Sequence, residues 1–304
     1  MEQLFNSVPF SANLAVYIAI DISILIILLL FMRWLSGLMS KVSVSKELGE
    51  RDNFAFGVSL AGRMIALAIV LSSVVGRHVE LDFQTSLFKL LIFGLLGITL
   101  VRVGRFAHDK IVLNQIDKDA MILEKNVSIA LVDATSTIAS AIITRSIILW
   151  TDATDIDAFV AITTGTLVVL SVLLLCTRIY EHRFAEKNQN SSFQTTLCQG
   201  QLALAIQHGG NLLAIAIAVS ASASIVVYSS GAYVSNVTGW LISGICLALG
   251  VMMISSLCKR IVLYGVQWRT EVSLQHNVGI ACIEAVLAIG VAVILNQLLA
   301  TALA

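Results

Sequence analysis

Eight separate runs of mostly apolar residues constrain this chain more than any motif it carries. They occupy residues 13–35, 54–75, 84–107, 127–149, 158–180, 201–226, 234–258 and 278–300. A helix needs roughly 20 apolar residues to cross the hydrocarbon of a bilayer, and each run is long enough. None shows the strict alternation of a membrane β-strand, so a helical bundle is expected in place of a barrel. Composition agrees: 58% of residues are hydrophobic, only 12% are charged, and the mean hydropathy is +0.91. A soluble chain has about 25% charged residues, so this one has too little charge to cover a water-facing surface. The expected fold class is all-α, a polytopic membrane helix bundle of eight spans whose main partner is the lipid bilayer. A net charge of zero, without a basic face, argues against binding nucleic acid.

Basic residues set the expected orientation. The loops after the odd-numbered runs hold 15 of the 19 Lys and Arg residues, among them Arg33, Arg51, Arg105, Lys118, Arg183 and Lys259. Those loops are expected in the cytoplasm and both termini outside. No basic stretch precedes the first run, which reads as a retained helix and not a cleaved signal. The outer side carries Glu2, Glu80, Asp82, Asp152, Asp155 and Asp157. This acidic excess either concentrates cations at the outer rim or simply reflects the positive-inside bias.

The chain also repeats itself. The even-numbered runs begin "NFAFGVSLAGR" at Asn53, "NVSIALVDATS" at Asn126, "QLALAIQHGGN" at Gln201 and "NVGIACIEAVL" at Asn277, spaced 73, 75 and 76 residues apart. Each unit is therefore a two-helix hairpin, and four hairpins make two four-helix halves, residues 1–150 and 151–304. An even number of spans per unit gives all four one orientation. They are related about the membrane normal, unlike inverted-repeat transporters, and a ring with fourfold or paired twofold pseudosymmetry is expected. Residues 201–226 hold twelve Ala, Gly or Ser against five in 84–107. Small residues let helices approach closely in lipid, which places the even helices at the centre and the odd ones against lipid.

Positions 0, 4, 7 and 11 of each even helix share one face. Asn53, Asn126, Gln201 and Asn277 open the four stripes, in the place where an N-cap is wanted. Seven residues on stand Leu60, Asp133, His208 and Glu284.

This repeat, a polar residue then Asn or Gly followed by Val and Ala among small residues, resembles the YjfL-like family of bacterial inner-membrane proteins, a domain of unknown function. Asn53, Asn126 and Asn277 carry the likeness, and Gly200-Gln201 departs from it conservatively. Shorter members have four spans, so the chain resembles two such units fused. The resemblance implies a bacterial inner membrane. It also implies association with a phage-shock-type cytosolic protein or with polyamine-related enzymes, and it supplies no catalytic residue.

Ionisable groups inside spans are costly and mark functional sites by default. Here they are Asp21, Arg63, Asp133 and Glu284, with His208 beside them. One reading is a buried ion pair that locks the bundle, Arg63 with Asp21 or with a carboxylate across the centre. The other is a polar pathway of Asp133, Glu284, His208, Arg63, Asn211, Ser136 and Thr137 that contacts a cation or relays protons. Enzyme signatures are missing. The five cysteines show no C-x-x-C spacing, and the other histidines fall in different loops, so neither a metal site nor a cofactor is expected. Asp152, Asp155 and Asp157 lack the glycine and terminal Glu of a calcium loop. The 104–125 loop is expected to lie on lipid as an amphipathic segment. The leading functional expectation is a channel or transporter for a small cation, a polyamine included. Its rival is a membrane scaffold that recruits a cytosolic envelope-stress partner through the basic loops.

Overall fold

Eight long helices in the computed structural model answer the eight apolar runs one for one, and all are long and apolar enough to cross a membrane. The structure describes residues 14–74, 83–151, 155–189 and 191–303. The odd-numbered spans are α1 (Leu14–Ser40), α3 (Phe83–Ile111), α6 (Ile156–Lys187) and α10 (Tyr233–Val262). The even-numbered spans are α2 (Phe54–Leu71), α5 (Val127–Trp150), α8 (Leu202–Ser220) and α12 (Val278–Ala302). A one-turn helix, α9 (Ser222–Ile225), follows α8.

Each even helix is entered through a short helical element that the hydropathy pattern does not show. These are a π-helical turn at Lys46–Glu50, α4 (Lys118–Leu123), α7 (Phe193–Cys198) and α11 (Trp268–Ser273). One left-handed residue then turns the chain into the span: Asp52, Lys125, Gly200 and His276 have φ of 46°, 69°, 80° and 56°. Only Gly200 takes this conformation without a steric cost. Asn53, Asn126 and Asn277 follow as N-caps, their side-chain oxygens accepting from the N–H of Phe56, Ile129 and Ile280 at 3.0, 3.0 and 3.2 Å. Gln201 occupies the same place but makes no such cap. Its longer side chain reaches past the N–H groups of its own helix, and its amide nitrogen lies 3.1 Å from the ring of His276.

The even helices stand in a row, α2 against α5, α5 against α8 and α8 against α12. Backbones meet closely there. A Cβ on Gly62 would lie 2.5 Å from Cα of Ala134, and one on Gly210 would lie 2.4 Å from Cβ of Ala285. The odd helices form a second layer, with α3 over α2 and α5, α6 over α5 and α8, and α10 over α8 and α12. The small-residue helices thus lie innermost, as their composition requires. The described residues do not close the expected ring: Ala61, Ile65 and Ala68 on α2, and Ile283, Val286 and Ile294 on α12, remain exposed at the two ends of an open row. Each unit packs on the next by a lateral step, so the ends have no reason to meet.

One hydrophobic core runs through both halves, from Ala66 and Val70 to Ala288 and Ala292. A second cluster sits at the basic end, under the short helices. Val112 and Leu113 are buried in it. The segment expected on lipid therefore turns inward, because α4 must pack beneath the start of α2.

Candidate functional site

The ionisable residues expected around one centre fall into three separate places along the row.

Asp133, on α5, is completely buried. One carboxylate oxygen accepts from Arg105 Nε and from Lys118 Nζ, both at 2.7 Å. The other accepts from the Ser59 hydroxyl at 2.5 Å and faces Arg63 at 3.6 Å. Lys118 also binds Asp109, and Arg105 lies 3.8 Å from Asp119. Three cations therefore close on one carboxylate, and Asp133 offers no oxygen to a solute. Arg63 takes Asp133 and Ser59 as partners, so of the two pairings expected for it, with Asp21 or with a carboxylate across the centre, the structure shows the second, between α2 and α5. Asp21 stands half-buried on α1. The hydroxyls of Ser136 and Thr137 both donate to the Asp133 carbonyl, at 3.0 and 2.7 Å, and so serve their own helix. Lys118 and Arg105 had been counted with the loop charges. Lys118 stands four residues before Ile122, and the two share the buried face of α4, while Arg105 reaches Asp133 from α3.

Glu284, on α12, differs. Its Oε2 accepts from Lys259 Nζ at 2.9 Å and from Gln207 Nε2 at 2.8 Å. Its Oε1 is buried and has no hydrogen-bond partner among the described residues. A cavity of about 180 Å³ lies against it between α6, α8, α10 and α12, lined by Gln207, Asn211, Ser255 and Tyr180. Its wall continues to Arg183, Lys187 and Arg269, at the basic end. The Arg269 guanidinium stacks 4.7 Å above the Trp268 ring, and Lys259 lies 5.9 Å from the same ring. Cation–π contacts of this kind hold such charges in place. Gln207 and Lys259 join the predicted residues Glu284 and Asn211 here.

His208 belongs to neither place. One residue on from Gln207, it turns away from the cavity and buries its ring 4.9 Å from Phe193 and 6.1 Å from His108. The two histidines, expected apart, thus meet inside the protein. The described residues nevertheless hold no group of three His, Cys, Asp or Glu suited to a metal.

Outside the spans, Glu47 anchors the first turn. Burial raises its carboxyl, but hydrogen bonds from Asn53 (3.1 Å) and Arg51 (2.8 Å) outweigh this and hold it below the usual range. Asp155 caps α6 through the N–H of Ala158 at 2.8 Å, and Asp157 accepts from Ser230 at 2.7 Å and from Tyr233. These two acids shape a turn. Glu2, Glu80, Asp82 and Asp152 lie outside the described residues.

A family model described as Domain of Unknown Function (DUF350) matches the chain twice in tandem, over residues 4–148 and 151–299. No curated protein and no solved structure matches it. With nearly the whole chain covered, the protein belongs to that family, as the tandem resemblance in the sequence implies.

Proposed function

We propose, taking membership of this family of multi-pass membrane proteins as the premise, that the chain moves a small monovalent cation across the bacterial inner membrane. The proton is the first candidate, and Glu284 is the group that takes it. The observation that carries this reading is the buried Oε1 of Glu284, without a partner, beside a polar cavity. By the distribution of basic loops that cavity opens toward the cytoplasm. A proton on Oε1 neutralises the carboxylate and frees Lys259 from its ion pair, a change that a neighbouring helix can sense. Asp133 has a different task in this scheme: its three cations leave it no capacity to bind another. The positive wall of Arg183, Lys187 and Arg269 repels a polycation, so a polyamine fits less well than a proton. The same basic charges favour the rival reading, a scaffold that holds an acidic cytosolic partner.

Proteoliposomes distinguish the two readings. Proton flux down an imposed gradient, with potassium and spermidine tested in parallel, should exceed that of empty vesicles. Glu284→Gln should reduce it at least tenfold while the protein stays folded. No flux of any of the three would overturn the transport reading. Retention of an acidic cytosolic partner that Arg183→Ala and Arg269→Ala release would then support the scaffold.

A further inference from the structure

The three seams inside the row are built to one rule. At each, a residue nine positions after the capping residue meets one eight positions after the next cap. Gly62 meets Ala134, Thr135 meets Gly209, and Gly210 meets Ala285. The same count brings the last unit to Val286, which is 68% exposed, and the first unit to Ala61, also exposed. Val286 has the size and branching of Thr135 and Ala61 repeats Ala134, but each inner pair includes a glycine and this one does not, so the outer seam would stand wider than the inner three.

Other positions repeat the pattern. Seventeen residues after the cap, Val70, Ile143 and Ala218 are buried, whereas Ile294 is 63% exposed. Fifteen residues after it, Ala141, Ala216 and Ala292 are fully buried, whereas Ala68 is exposed. The positions that the inner units bury are thus bared on opposite faces at the two ends: the far face of α12 and the near face of α2. The polar contacts follow suit. Asn53 Nδ2 donates to the carbonyls of Ile122 and Leu123 in the next unit, at 3.2 and 3.3 Å. Asn126 Nδ2 donates to Leu197 and Cys198 in the unit after, at 3.3 and 2.9 Å. Asn277 Nδ2 donates to Glu271 of its own unit at 3.0 Å, as Asn53 Nδ2 also does to Glu47 at 3.1 Å, but among the described residues it has no bond to a carbonyl of a further unit.

We infer that a second copy of this chain continues the row, its α2 packing on α12 of the first as α5 packs on α2. Gly49 and Glu50 of that copy hold the places of Ile122 and Leu123 and would offer their carbonyls to Asn277. Every unit has the same orientation in the membrane, so a copy added this way is inserted correctly. The contact is head-to-tail, and repetition yields a ring or a filament.

The test is cross-linking in native membranes, with the five native cysteines replaced. Two differently tagged copies are co-expressed, one carrying Val286→Cys and the other Ala61→Cys. Mild oxidation should link them at least tenfold faster than Val286→Cys paired with Ile242→Cys, which is exposed on α10. Ala68→Trp in the second copy, at a site open in the single chain, should cut the linking at least tenfold without changing the melting temperature. Linking no faster than the control, or Val286→Cys copies linking to one another as fast, overturns the inference. So does an unmodified chain that is wholly monomeric, by mass, in lipid nanodiscs. These outcomes are independent of flux through the Glu284 cavity.

Discussion

Asp133 and Glu284 stand at the same place in their units and have opposite surroundings. Asp133 meets Arg63, Arg105, Lys118 and Ser59, while Glu284 meets one lysine and one amide and keeps an oxygen free. Removing one member of a buried ion cluster leaves the others uncompensated, at a cost of about 3–5 kcal/mol. Asp133→Asn should therefore lower the melting temperature in detergent sharply, and adding Lys118→Met should restore part of the loss. If Asp133→Asn melts like the native protein, the cluster is not a structural lock. The sequence showed that both acids are buried at equal depth. It did not show their partners, because those come from helices and short elements whose rotation depends on the packed bundle.

At the scale of elements, each even helix is entered through a short helical turn and a left-handed residue, and a side-chain cap follows at all but α8, where Gln201 makes none. The cap also fastens the next unit, since Asn126 holds its own helix through Ile129 and α7 through two carbonyls. Asn126→Ala should cost about 1 kcal/mol for the cap alone, and more because the α7 carbonyls lose their donor. Gln201→Asn should work in reverse. An asparagine there can accept from the third N–H of α8, and the variant should gain up to about 1 kcal/mol, read as a raised melting temperature. An unchanged or lower temperature would mean that the contact with His276 matters more than the cap. The caps were legible as an amide recurring at the start of each span. The short helices were not, because five or six residues are too few to show a periodicity.

At the scale of the molecule, the α5–α8 seam between the two halves is built like the seams within them, and one core crosses it. The halves should then unfold together. Asp133→Asn, in the first half, should expose the loops before α12 to protease at the same temperature as those before α5. Two separated transitions would show that the halves are independent domains. The matches to the family divide the chain in two, but the packing does not.

Length, hydropathy and the recurrence of Asn or Gln at the head of every second span determined by themselves that this is an eight-helix membrane protein of four like-oriented hairpins. Those properties are local: about 20 apolar residues span a bilayer whatever their neighbours, and small residues mark the helices that pack most closely. Whether the hairpins close a ring or form an open row depends on the angle and offset between successive units, which no residue encodes alone. The same step decided which charges meet. It carried Arg63 and Ser59 to Asp133, set Gln207 beside Glu284 and brought His108 beside His208, because contacts between units of a repeat belong to their packing, while Arg105, Lys118 and Lys259 reach their carboxylates through the pairing of helices within one unit.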